Sequence, residues 1–182
     1  MKPKLFIVTG NALKFRELSS RLSEFFDCEQ KLWEEPEIQG SPEEIIKYKL
    51  LRAYNAFKHP VLVDDTTLNL EALNGFPGPY VKDFLNCFEP YDLGVKFNGS
   101  RLSSSCFLGL CLSEDKIIIT EGKLEGVVIH PKSKDNEGRA FDLCVQADGT
   151  DKPMIEFTPE EKNKFSHRGR AMDKLMEILN EE

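Results

Sequence analysis

The chain has 182 residues, of which 40% are hydrophobic and 30% charged, and its net charge is −7. This size and composition predict one globular domain over residues 1–182, with no transmembrane helix because no apolar run reaches ~18 residues. The acidic balance argues against a broad nucleic-acid surface. The five cysteines contain no C-x-x-C pair and no signal-peptide pattern opens the chain, so we expect reduced thiols and a cytoplasmic protein.

The first half of the chain predicts alternating strands and helices. Apolar runs predict strands at 5–8 and 61–63, and a further strand is expected at 30–33. A glycine–asparagine turn precedes the first helix, whose apolar residues recur at helical spacing. A capping box that begins at Ser41, with proline in the first turn, starts the second helix, and the same pattern recurs at Thr158.

The second half predicts short helices, then hairpins, then a closing helix. The expected helices and strands lie at 81–88, 91–97, 104–112, 116–124, 127–129 and 168–179. The three strands are expected to be antiparallel, with a tight turn at 114–115. Alternating elements followed by hairpins predict an α/β protein built on a mixed sheet.

The most informative stretch is 61–85, where a predicted buried strand runs into Asp64 and Asp65. Acids at the end of a buried strand require a metal, a proton or a cationic partner. A turn rich in glycine and proline then delivers Lys82, which suggests an anionic ligand held by metal and base together. The alternative is two solvated turn residues followed by an ordinary loop.

Strand geometry separates the two acids. Adjacent strand residues point to opposite faces, so Asp64 and Asp65 cannot both ligate one metal if the strand is regular. Asp65 would share a face with Val61 and Val63, and Asp64 would share the other face with Leu62. We assign the metal to Asp65, with Glu37 arriving from a loop, because Mg²⁺ prefers one or two protein carboxylates. Mn²⁺ could replace Mg²⁺ at this site. Asp64 would then orient the attacking water or support the metal ligands without binding the metal itself.

Two further segments contain residues that could bind an anion or a nucleobase. The first is the strand–glycine–helix turn that ends at Lys14, where free backbone N–H groups and the helix dipole favour anions. The second is the group of donors Lys162, His167 and Arg168 at a helix start. The alternative for the turn is an ordinary strand-to-helix connection of an α/β fold. The alternative for the group of donors is a solvated basic cluster.

Phe141 and Asp142 form a further candidate pair. They offer a stacking ring and a hydrogen-bond acceptor, and the alternative is an ordinary core phenylalanine.

Five segments occur in one order along the chain: VTGNALK, PEIQG, VLVDDT, ALNGFPGPYVKDFL and EKNKFSHRGRA. Together they resemble the inosine triphosphate pyrophosphatases, and the resemblance spans nearly the whole chain. It implies Mg-dependent hydrolysis of ITP, dITP and XTP to the monophosphate and pyrophosphate. It also implies an elongated α/β structure whose long mixed sheet is flanked by helices, with two lobes around a central cleft, and a homodimer.

The resemblance assigns functional residues by position. The residues assigned to substrate are Thr9, Gly10, Asn11, Ala12, Leu13, Lys14, Lys49, Asp65, Thr66, Lys82, Arg139, Ala140, Phe141, Asp142, Lys162, His167 and Arg168. Glu37 and Asp65 are assigned to the metal, and Asp65 and Asp64 to catalysis. Asp65 positions or deprotonates the attacking water, with Asp64 and Glu37 as rival bases.

Three departures from the family pattern affect affinity and base preference. Leu13 stands where a second lysine is usual, Phe141 replaces a tryptophan, and Arg139-Ala140 replaces a more usual Phe-Gly pair. The rival functions are a pyrophosphatase for a modified pyrimidine triphosphate and a nucleotide-binding module without catalysis. A nucleic-acid-binding protein is disfavoured by the charge.

Overall fold

The computed structural model describes residues 1–33, 35–135 and 140–181. The helices are α1 (Ala12–Leu22), α2 (Pro42–Phe57), α3 (Val81–Cys87), α4 (Pro90–Lys96), α5 (Pro159–Asn163) and α6 (His167–Asn180). The strands are β1 (Lys4–Val8), β2 (Asp27–Lys31), β3 (Val61–Leu70), β4 (Pro77–Gly78), β5 (Arg101–Ser113), β6 (Lys116–Val128) and β7 (Val145–Ala147). Short 3₁₀ helices lie at Glu71–Leu73, Ala140–Cys144 and Met154–Glu156.

The strands form one mixed sheet in the order β2-β1-β3-β5-β6-β7, with β4 paired to β3. Strand β1 is parallel to β2 and β3, whereas β4 is antiparallel to β3 and β7 is antiparallel to β6. The predicted α/β architecture on a mixed sheet is therefore confirmed. In the part of the chain that is described, every helix is too short or too polar to cross a bilayer.

The chain divides into two compact units. Unit 1 consists of Met1–Asp65, Cys106–Gly122 and Ala171–Glu182. Unit 2 consists of Thr66–Ser105 and Lys123–Arg170. A single domain over residues 1–182 stays a prediction.

Unit 1 has a hydrophobic cluster on each face of its strands. Leu62 of β3 lies in the cluster that contains Leu18 of α1 and Leu175 of α6. Val63 of β3 lies in the other cluster, which contains Leu50 of α2. Successive strand residues point to opposite faces, so the face assignment predicted for β3 is confirmed.

Unit 2 is built around one hydrophobic cluster. It joins Leu68 at the end of β3 to Phe84 of α3 and Leu93 of α4. Phe141 and Met154, which belong to two of the 3₁₀ helices, lie in the same cluster. Helices this short are only marginally stable in isolation, so their shared apolar contacts stabilise them.

The capping boxes predicted from the sequence are present. Ser41 and Glu44 form one at the start of α2, with proline in the first turn. Thr158 and Glu161 form another at the start of α5. In each, the hydroxyl and the carboxylate satisfy backbone N–H groups that the helix itself cannot pair.

The predicted boundaries of two strands in the N-terminal half are wrong. Strand β3 runs as Val61–Leu70, so Asp64 and Asp65 lie within the strand rather than at its end. The expected strand at 30–33 lies earlier, at Asp27–Lys31. Polar residues dominate β2, so apolar periodicity could not locate it.

The strands predicted separately at 116–124 and 127–129 are one strand, β6. Gly126, which lies between the two predicted strands, pairs with Ala147 of β7. A Cβ atom at this glycine would lie 2.3 Å from the carbonyl oxygen of Gln146. The glycine therefore marks a close approach of two backbones rather than a turn.

Candidate functional site

Two adjacent acids of β3 meet two lysines from different helices. The carboxylate of Asp64 lies 2.8 Å from the ammonium of Lys14 in α1. The carboxylate of Asp65 lies 3.2 Å from the ammonium of Lys49 in α2. Lys49 also donates to the backbone carbonyl of Asp64 at 2.9 Å. Because α1 and α2 pack on opposite faces of β3, each acid meets the lysine on its own face.

The acids differ in their access to solvent. Only 3% of the Asp64 side chain is exposed, compared with 18% for Asp65. The alternative of two solvated turn residues is therefore excluded. Both acids are strand residues whose negative charge is compensated by a lysine, as burial of a charge requires.

The carboxylates around Lys49 keep it charged. Burial lowers the pKa of Lys49, but the negative charges of Asp65, Asp64 and Glu37 outweigh that effect and raise it above the ordinary lysine value. Glu37 itself is exposed in the loop between β2 and α2. Its charge therefore acts on the same lysine as the charges of the two acids of β3.

The carboxylate oxygens of Glu37, Asp64 and Asp65 are ligands of the type that bind a divalent cation. Among the described residues, no group of three or more His, Cys, Asp or Glu side chains is arranged to hold a metal ion. Mg²⁺ takes one or two protein carboxylates and completes its octahedron with water and phosphate oxygens. The carboxylates of Glu37 and Asp65 are oxygen donors of the kind that Mg²⁺ takes, and their binding to one ion stays a prediction.

The turn between β1 and α1 is organised by Asn11. Its side-chain oxygen accepts from the backbone N–H of Leu13 at 2.9 Å and of Lys14 at 3.2 Å, and its own N–H donates to the Thr9 hydroxyl. The expectation of free N–H groups at this turn needs correcting for Leu13 and Lys14. The N-cap side chain already satisfies them.

Gly10 and Ala12 lie on the exposed side of the same turn. A Cβ atom at Gly10 would meet no other atom within 4 Å. The first turn of α1 contains no acidic residue, so nothing there opposes the positive end of the helix dipole. An anion at this turn would therefore be attracted by the dipole and by Lys14.

Unit 2 brings together the candidate residues from the C-terminal part of the chain. Asp142 and Lys162 form an ion pair of 2.5 Å, and the two residues are only 4% and 8% exposed. His167 is buried, and its ring stacks on Phe141 with centroids 6.3 Å apart. Arg168 is buried beside His167 at the start of α6. The alternative of a solvated basic cluster is therefore excluded.

The close approach of α5 and α6 depends on Gly169. A Cβ atom there would lie 1.9 Å from the backbone oxygen of Asn163 at the end of α5. The N–H of Gly169 donates to the buried hydroxyl of Ser166 at 3.0 Å. Ser166 and Gly169 lie within the segment predicted to contact a ligand, but no individual role was predicted for either. A serine just before a helix is the signal for the N-cap contact of Ser166.

Two further predicted residues, Ala140 and Phe141, belong to the 3₁₀ helix Ala140–Cys144. Phe141 packs in the hydrophobic cluster of unit 2, as the alternative of a core phenylalanine expected. Ala140 begins a 3₁₀ helix, and Arg139 lies outside the described residues.

Thr66 and Lys82 belong to unit 2. Thr66 continues β3 after Asp65, and Lys82 is exposed in the first turn of α3. Asp65 belongs to unit 1, so a joint action of Asp65 and Lys82 on one anion stays a prediction.

Comparison with known proteins assigns the chain to a family. The model of the Ham1 family matches residues 5–178. An inosine triphosphate pyrophosphatase of Schizosaccharomyces pombe is 36% identical over 182 residues, covering 98% of this chain and 96% of the relative. A protein of the same name from Emericella nidulans is also 36% identical, with 96% of each chain covered.

A solved structure supports the fold. The structure of a Ham1 protein from Coxiella burnetii matches with a TM-score of 0.76 at 22% identity, and both chains are fully covered. At this identity the match concerns the fold alone. The family model and the two fungal relatives cover almost all of the sequence, and the chain therefore belongs to the Ham1 family.

Proposed function

We propose that this protein hydrolyses nucleoside triphosphates with non-standard purines, namely ITP, dITP and XTP. The products would be the nucleoside monophosphate and pyrophosphate, so the enzyme would remove these nucleotides from the cellular pool. The observation that carries the proposal is the pairing of Asp64 and Asp65 with Lys14 and Lys49. It combines anion-binding cations with acids that can act on water and metal. The two fungal relatives, which are named for this activity, support the choice of substrate.

The lysines would hold the phosphate chain. Lys49 has a raised pKa because nearby carboxylates outweigh its burial, so it remains an ammonium at neutral pH. Lys14 lies in the first turn of α1, where the helix dipole adds to its charge. Phosphoryl transfer needs positioning and charge stabilisation more than covalent help. We assign Lys82 to the same phosphate chain.

Glu37 and Asp65 would hold a divalent cation, for which we propose Mg²⁺ with Mn²⁺ as a substitute. When bound, such an ion neutralises charge on phosphate oxygens. Asp65 is also the better placed of the two β3 acids to position the attacking water or take its proton, because its carboxylate is more exposed than that of Asp64.

The buried polar group of unit 2 would select the base. Hypoxanthine and xanthine present an oxygen acceptor at C6 and an N1–H donor, whereas adenine presents the reverse. A site that donates to O6 leaves buried groups unpaired with adenine, which gives strong discrimination. Arg168, His167 and Lys162 supply donors and Asp142 supplies an acceptor. Guanine would be rejected at its 2-amino group.

A nucleotide panel tests the substrate class. Pyrophosphate release is measured from ITP, dITP, XTP, ATP, GTP and a modified pyrimidine triphosphate, with Mg²⁺ and with a chelator. We expect release from the first three and at least about a hundredfold lower kcat/KM for ATP. Comparable rates for ITP and ATP would refute the selectivity. Preference for the pyrimidine would support the rival pyrophosphatase, and binding without release would support the non-catalytic module.

A substitution tests the role of Asp65. We expect Asp65→Asn to lower kcat by about 10²-fold or more with Mg²⁺ in excess. Asp115→Asn, in the exposed turn between β5 and β6, is the matched control and should retain wild-type turnover. Near-normal turnover by Asp65→Asn would remove this residue from the mechanism.

We also propose that the protein is a cytoplasmic homodimer, as its resemblance to the inosine triphosphate pyrophosphatases implies. Light scattering after size-exclusion chromatography should give twice the mass of one chain. A mass equal to one chain at micromolar concentration would contradict the dimer.

A further inference from the structure

Asp64 contacts Lys14 and Lys49, each through a different group. Its carboxylate lies 2.8 Å from the ammonium of Lys14. Its backbone carbonyl accepts from the ammonium of Lys49 at 2.9 Å. These two lysines come from helices on opposite faces of β3. Asp64 therefore contacts a cation from each of the two helices.

The carboxylate of Asp64 is poorly suited to accept a proton from water. Only 3% of the side chain is exposed, because it shares the face of β3 that carries Leu62 into the hydrophobic cluster with α1. A general base must reach the attacking water directly or through one other water. The carboxylate is also already engaged by the ammonium of Lys14 at 2.8 Å.

Lys14 is held at both ends. Its backbone N–H donates to Asn11 at 3.2 Å, and its ammonium lies against Asp64. A lysine side chain has four flexible carbons, and fixing it only when the ligand arrives would cost conformational entropy. An ammonium has three N–H donors, and 28% of the Lys14 side chain is exposed. The pairing therefore leaves capacity for phosphate oxygens while fixing the direction of the charge.

We infer that Asp64 is a positioning residue that orients Lys14 and Lys49 towards the phosphate chain, and that it does not remove the proton from the attacking water. This inference rests on the proposed function, because it assigns a role within the same site. Asp64 acts through the lysines, and the preorganised cations bind the triphosphate with less loss of entropy. Asp65 is then the β3 acid that acts on water.

A double-mutant cycle tests the inference. The variants are Asp64→Asn, Lys14→Gln and the double substitution, with Asp115→Asn as a matched control of an exposed acid. We expect each single change to raise the KM for ITP by about tenfold while kcat changes by less than about threefold. The double variant should be no worse than about twofold beyond the more severe single variant, because both changes disable one unit.

The contrary results are distinct. A drop in kcat of about a hundredfold at unchanged KM for Asp64→Asn would identify a base and overturn the inference. Effects that multiply in the double variant would also overturn it, since Asp64 would then act independently of Lys14. If Asp64→Asn does not fold, Asp64→Glu retains the charge while displacing Lys14. It should raise KM with little effect on kcat, and the opposite pattern would again identify a base.

A binding measurement separates this inference from the proposed function. Titration calorimetry with inorganic tripolyphosphate requires no turnover and no base. We expect Asp64→Asn to weaken this binding about as much as Lys14→Gln does, and Asp115→Asn to leave it unchanged. Unchanged affinity in Asp64→Asn would overturn the positioning role. If the wild type binds tripolyphosphate but releases no pyrophosphate from any nucleotide, the proposed function fails while the positioning role is still measured.

Discussion

The buried ion pair of unit 2 predicts a large loss of stability when one partner is removed. Lys162→Met keeps most of the volume of the side chain but takes away the ammonium 2.5 Å from the carboxylate of Asp142. Both residues are more than nine-tenths buried. Breaking a buried ion pair on one side costs about 3–5 kcal/mol, because the remaining charge loses its compensation in a medium of low polarity.

This cost corresponds to a measurable thermal shift. In a chain of this size, 1 kcal/mol changes Tm by about 2–4 °C, so Lys162→Met should lower Tm by roughly 6–20 °C. Lys132→Met is the matched control within the same unit. Lys132 forms an ion pair of 2.9 Å with Glu156, but 84% of its side chain is exposed. Exposed pairs contribute little, so its Tm should fall by less than about 4 °C.

Differential scanning calorimetry of four proteins gives the answer: wild type, both single variants and Lys162→Met combined with Asp142→Asn. The combined variant has no buried charge at this position and should recover at least half of the loss. A Tm for Lys162→Met that equals that of Lys132→Met would refute the reasoning. It would mean that Asp142 does not depend on this lysine for its charge.

Three further predictions concern other parts of the chain. Hydrogen bonds from the N-cap serine lower the pKa of Glu44, so this group stabilises α2 above the ordinary carboxyl pKa and loses that effect as pH falls through the lowered value. Wild type should therefore lose more stability than Glu44→Gln between about pH 5 and about pH 3, and equal losses would contradict this. Burial raises the pKa of the Cys144 thiol to about 12, so iodoacetamide should label exposed Cys87 first and Cys144 only after unfolding, whereas simultaneous labelling in mass spectra would disagree. Gly94→Ala would put a Cβ 2.5 Å from the ring of Pro131 and 2.8 Å from Cys144. Urea unfolding should therefore show that the free energy of unfolding falls by about 1–3 kcal/mol. An unchanged free energy would count against the close packing.

The candidate site separates what local sequence rules can predict from what depends on tertiary packing. Strand alternation is sufficient to assign Asp64 and Asp65 to opposite faces, because side-chain direction in a strand depends only on the backbone. Which lysine meets which acid could not be derived in the same way. Lys14 and Lys49 reach their partners because α1 and α2 pack on opposite faces of β3, and that packing involves distant parts of the chain.

Burial was the second property that local rules could not supply. Phe141, Lys162 and Arg168 were each compatible with a solvated or an ordinary core position, because a residue type does not state what surrounds it. The structure decides between the alternatives, since Lys162 and Asp142 are buried as a pair and Phe141 packs in the core of unit 2.

The sequence by itself determined the α/β class, the capped helix starts and the opposite directions of the two β3 acids. These depend on periodicity, capping and backbone geometry, which act within a few residues. Only the tertiary structure decided that β3 continues through the acids, that β6 runs unbroken through Gly126, and that each carboxylate pairs with a different lysine. Those outcomes depend on which distant surfaces pack together, and short-range patterns contain no information about the partner.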